Sequence, residues 1–85
     1  MILHTTEVRN LDEYRLFIAF NNGESGPIDL EKDLWGEMFE PLKDKTLFAT
    51  ARQDDELGTV VWANGADLAP EHLLDLLHEQ TQRVA

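Results

Sequence analysis

Residues 56–73, read as ELGTVVWANGADLAPEHL, compress a buried strand, a glycine turn and a helix start into one stretch, and constrain the fold more than any other part of the chain. Thr59, Val60, Val61 and Trp62 form a β-branched and aromatic run, the pattern of a strand covered on both faces. Residues 58–63 are therefore expected as a central strand. Asn64-Gly65 breaks it, because a sharp turn needs residues that tolerate positive φ. Pro70 stands where a helix would begin, at a position whose N–H needs no intrahelical partner. Leu73, Leu76, Leu77 and Gln80 share one stripe of that helix, with Leu74 widening it, while Glu71, Asp75, Glu79 and Gln82 face away. Glu71 near the start and Arg83 near the end suit the helix dipole, and Glu79 to Arg83 is a favourable i,i+4 pair.

Upstream, Tyr14, Leu16, Ile18 and Phe20 alternate with Arg15, Phe17 and Ala19, a period of two that predicts a strand with one buried face. Asn22-Gly23 after it is the preferred chemistry of a type I′ hairpin turn. Residues 24–30 return as its partner, and Pro27 places that strand at an edge, since it cannot donate to a ladder. Residues 5–9 pair with the Tyr14 strand through a turn at residues 10–13. In residues 31–45, Trp35, Met38, Phe39 and Leu42 are spaced for a short helix with one apolar face, interrupted at Pro41. Residues 48–53 read as a further strand, joined to the next by Asp54-Asp55-Glu56-Leu57. The expected fold is a single α+β domain over residues 1–85: a small antiparallel sheet of about five strands in two hairpins, a short central helical segment and a C-terminal amphipathic helix.

Seventeen acidic residues against seven basic ones give a formal net charge of −10. Nucleic-acid binding draws on Lys and Arg to neutralise phosphates, so direct binding to DNA or RNA is not expected. Such a surface suits solubility, a basic partner protein or a metal ion. With no cysteine, disulfides, thiolate zinc sites and thiol nucleophiles are excluded together. The N-terminal MILHTTEV lacks the basic stretch and long apolar run of a signal peptide, and no apolar run approaches the roughly 20 residues of a membrane span. A cytoplasmic location is the expectation.

No catalytic pattern outweighs a structural account. The one serine, Ser25, has Pro27 where a nucleophile elbow requires glycine. His72 and His78 are not at the i,i+3 or i,i+4 spacing of helical metal pairs. Glu71, Asp75 and His78 share a helical face that could offer two carboxylates and an imidazole to a divalent cation, yet solvated faces commonly look the same. Asp54-Asp55-Glu56 lacks the spacing and glycine of a calcium loop. Trp62, Asn64 and Asp67 remain as a candidate recognition site, a small polar cluster with an aromatic wall. Their architectural reading is a turn at Asn64-Gly65 and an Asp67 carboxylate capping the terminal helix.

These fragments resemble, as a set, the family catalogued as domain of unknown function 2442. The resemblance runs from about Tyr14 to Leu74. It rests on Asn22-Gly23, Asp29-Leu30, Gly36, Phe39-Glu40-Pro41-Leu42 with Asp44, Phe48, Gly58-Thr59-Val60-Val61-Trp62, and Asn64-Gly65-Ala66-Asp67-Leu68 with Pro70. Ala63 and Lys45 stand where proline is expected. The resemblance implies a compact α+β domain and carries over no activity, cofactor or catalytic residue. It also implies a habit of being encoded beside another small protein, and in some relatives an appended helical DNA-binding domain, for which this chain has no room. The expected function is a non-catalytic protein-interaction or regulatory module, in a toxin–antitoxin-like pairing with a neighbouring gene product or as a homodimer. The alternative is a small-ligand or divalent-metal-binding domain.

Overall fold

The computed structural model describes residues 2–81, so the expected places of Gln82 and Arg83 lie outside the described residues. Its strands are β1 (Thr5–Asn10), β2 (Arg15–Phe20), β3 (Ser25–Asp29), β4 (Arg52–Asp54) and β5 (Thr59–Val61). Two 3-10 turns (Glu31–Asp33 and Glu40–Lys43) and the single-turn helix α1 (Lys45–Phe48) connect β3 to β4, and helix α2 (Pro70–Thr81) ends the domain. The fold is α+β, as expected, with its five antiparallel strands divided between a three-stranded sheet ordered β1-β2-β3 and a two-stranded sheet of β4 and β5.

β2 forms the middle of the larger sheet because its alternation is the strictest in the chain. Leu16, Ile18 and Phe20 are buried while Arg15, Phe17 and Ala19 are only half so. α2 closes over this sheet with Leu73 and Leu77 buried, each contributing about 1.5–3 kcal/mol of apolar burial. The approach is close at Gly26 of β3, where a Cβ would meet Leu77 Cδ1 at 2.9 Å.

β3 is the edge strand that Pro27 requires. Arg15 pairs with Asp29 and Phe17 with Pro27, and the Leu30 N–H donates to Tyr14 O at 2.9 Å. Antiparallel alternation then turns the backbone groups of Ser25, Pro27 and Asp29 outward, so proline removes one donor from the free edge.

The two sheets meet at Thr5. Its N–H donates to Gly58 O at 2.9 Å and its carbonyl accepts from Gln53 Nε2 at 2.7 Å. Gly58 makes this approach with φ at +71°, and a Cβ there would lie 2.9 Å from His4 Cβ.

Four expectations need correction. The strand expected over 58–63 is β5, Thr59–Val61, all three residues buried, but it is half of a two-stranded sheet rather than a central strand. The strand over 48–53 shrinks to β4, because Asp44 Oδ1 accepts the Thr46 N–H at 2.9 Å and starts a helical turn that ends in Phe48. The first hairpin is not type I′. Phe20 N–H bonds Glu24 O at 2.9 Å across a three-residue loop, and only Gly23 of that loop has positive φ, at +92°. Finally, the helix over 31–45 is two 3-10 turns, with Pro41 inside the second one. Phe39 and Leu42 pack into the core, whereas Trp35 and Met38 do not.

Candidate functional site

The three residues of the candidate recognition site have separate fates. Trp62 is 1% exposed and its indole N–H donates to Phe48 O at 3.0 Å. Phe39 meets it edge-on with ring centroids 6.3 Å apart, and Phe48 leans on it at 5.9 Å. An indole so enclosed is a core side chain, with no face left for a ligand.

Asn64 is a tether. Its Oδ1 accepts the Ala66 N–H at 3.1 Å and its Nδ2 donates to Met38 O at 3.0 Å. Gly65, at φ +87°, lets its own N–H return to Trp62 O at 2.9 Å, which closes the turn beneath the tether. Asp67 sits opposite Val61 in an isolated antiparallel bridge, with its side chain exposed. The first helical bond of α2 runs from the Leu73 N–H to Ala69 O at 3.1 Å. Asp67 is two residues short of that position, and among the described residues its carboxylate accepts no hydrogen bond, so the expected cap is not made.

What Asn64 holds is the loop over residues 34–39. Leu34 is buried, Trp35 is 72% exposed, Met38 is 46% exposed, and Phe39 turns back to Trp62. Gly36 makes the reversal with φ at +89°, and its carbonyl accepts from the Phe39 and Glu40 N–H groups at 3.2 and 2.9 Å. The loop is thus fixed at both ends and in the middle, with Trp35 and Met38 left outside. Glu37, within it, and Glu40, directly after it, are exposed beside Gly36. The sequence spacing predicts Trp35 and Met38 on a buried face. The available contrary signals were Gly36, directly after the tryptophan, and the density of carboxylates around it.

Elsewhere the polar groups serve architecture. Asp54 Oδ1 accepts the Glu56 and Leu57 N–H groups at 2.9 and 3.0 Å, and these, Leu57 foremost, hold the Asp54 carboxyl below the usual carboxylate range with help from Arg52. His78 Nε2 lies 2.6 Å from Glu24 Oε1 and His72 Nε2 lies 3.3 Å from Asp33 Oδ1, so both histidines reach across from α2 rather than along it. Glu71, Asp75 and His78 therefore do not converge, and among the described residues no three His, Asp or Glu side chains gather into a metal-holding group. A groove of about 530 Å³ between α2 and the first 3-10 turn is lined by Asp29, Glu31, Asp33, His72 and Gln80 among others. Among the described residues no helix is long and apolar enough to cross a membrane.

Residues 5–79 match the model of a family described as "Protein of unknown function (DUF2442)". No curated protein and no solved structure matches the chain.

Proposed function

The chain belongs to the DUF2442 family, and on that premise we propose that it is a non-catalytic interaction module that pairs with a second protein, in a regulatory, toxin–antitoxin-like arrangement with the product of an adjacent gene. The observation that carries this reading is Trp35, 72% exposed in a loop that the core takes trouble to hold. Folding normally removes a side chain of this size from water, and tryptophan is enriched among the few residues that dominate binding energy at protein interfaces.

Co-expression with the adjacent gene product, followed by size-exclusion chromatography, tests the reading. Co-elution at a fixed ratio is the expected result. Elution as an unaccompanied monomer at every ratio would remove it.

A further inference from the structure

We infer that the loop over residues 34–39 is the docking surface of that pairing, with Trp35 and Met38 inserting into an apolar cleft rimmed by lysine and arginine on the partner protein. The inference rests on the interaction-module reading and adds to it a surface and the chemistry of the partner.

Neighbouring residues of the loop face opposite ways. Leu34 is 2% exposed and Trp35 is 72% exposed, so the chain turns one residue fully in and the next fully out. Met38, at 46%, stands in the same loop. A flexible thioether beside a rigid indole is a pairing that fits an irregular apolar cleft, because methionine adapts to the gaps that the ring leaves.

Rigidity is the second strand. The Met38 carbonyl is held by Asn64 Nδ2 at 3.0 Å, Gly36 O takes two backbone N–H groups, and Phe39 is locked edge-on against the buried Trp62. Ordering a loop on binding costs affinity, and a loop already ordered avoids that cost. The Trp62-Ala63-Asn64-Gly65 turn thereby acquires a purpose: it is the clamp behind the docking loop.

Charge selects the occupant. From Glu31 to Glu40 the chain carries four acids, Glu31, Asp33, Glu37 and Glu40, against the single base Lys32. Asp33 is engaged with His72 at 3.3 Å and Glu31 lies by Lys32 and Lys43, while Glu37 and Glu40 are exposed beside Gly36 of the loop itself. A second copy would bring another net charge of −10 to the same rim, and like charges facing one another disfavour that contact. An anionic lipid surface is disfavoured for the same reason. A cleft bordered by Lys and Arg supplies the complementary field.

The test uses the intact protein and two synthetic helical-hairpin peptides with the same leucine-lined groove between their helices, one rimmed by lysines and the other by glutamates. Trp62 is enclosed, so emission that is red-shifted and quenched by acrylamide belongs to Trp35. The lysine peptide should shift that emission to the blue and protect it from acrylamide. Its affinity, followed by a label on the peptide, should fall at least about tenfold in the W35A/M38A variant and weaken as salt is raised. An equal response to the glutamate peptide, no response up to about 1 mM, or burial of Trp35 by anionic vesicles or by self-association instead would overturn the proposal. A complex with the adjacent gene product that survives Trp35→Asp would also overturn this surface while leaving the interaction module standing. Failure of the wild-type protein to form any complex would remove the reading beneath it.

Discussion

The side-chain amide of Gln80 stands in for a neighbouring strand at Asp29: its Oε1 accepts the Asp29 N–H at 2.8 Å and its Nε2 donates to the Asp29 carbonyl at 2.9 Å. A helix side chain thereby closes both backbone groups that β3 turns outward there, two residues beyond Pro27, which has no N–H to offer. Proline and glutamine together blunt an edge that would otherwise be open to pairing with another chain.

Gln80→Ala should lower stability by about 1 kcal/mol, a modest loss because water can replace both bonds at this exposed site. Gln80→Glu should cost more, since a carboxylate cannot donate to the Asp29 carbonyl and joins the carboxylates of Asp29 and Asp33. Urea midpoints rank the two variants, and hydrogen exchange at the Asp29 amide should quicken in both.

The glycines at 58 and 65 separate strain from crowding. Both have positive φ, at +71° and +87°, but a Cβ at 58 meets His4 Cβ at 2.9 Å whereas one at 65 meets nothing within 4 Å. Gly65→Ala should cost about 1–2 kcal/mol from backbone strain alone. Gly58→Ala should cost more, because it also pushes on the junction where Thr5 bonds Gly58 O. Thermal unfolding of the two variants, with equal losses, would contradict this account of Gly58.

Trp62→Phe should destabilise by about 1–3 kcal/mol, combining lost volume in the core with the loss of the indole hydrogen bond to the Phe48 carbonyl, which keeps only the Ala51 N–H at 3.2 Å. Asn64→Ala should have a smaller effect on the unfolding midpoint but a local one on the loop. Acrylamide quenching of Trp35 and hydrogen exchange over residues 34–39 should both rise in it.

At acid pH, Asp54 should be a visible contributor. Its carboxyl is held below the ordinary value by the Leu57 and Glu56 N–H groups and by Arg52. The unfolded chain therefore takes up this proton first, and the stabilisation is present above the unfolded pKa and lost as pH falls through the folded one. Asp54→Asn should flatten the loss of stability below about pH 4, read from urea midpoints between roughly pH 3 and 6.

Where local chemistry decides, the sequence is legible. Pro27 marks an edge, Pro70 opens a helix, Leu73 and Leu77 face the core, and the β2 alternation places Leu16, Ile18 and Phe20 inside. The loop around Trp35 is illegible for a physical reason: spacings of three and four imply one face only on an α-helix, and this segment is two 3-10 turns with a left-handed glycine between them. At residues 48–53, an apolar and β-compatible run obscured Asp44, whose carboxylate caps a helical turn. Of the candidate recognition site, Trp62 and Asn64 are explained by what they hold in place. Asp67 pairs with Val61 through its backbone, and its exposed carboxylate packs against nothing among the described residues.

The claim that this domain spends a tryptophan and a methionine on its surface rather than on its core is tested most directly by urea unfolding of the W35A/M38A double variant. A stability within about 0.5 kcal/mol of wild type is expected, as for surface substitutions. A loss of about 3 kcal/mol or more, the cost of truncating buried side chains of this size, would contradict it.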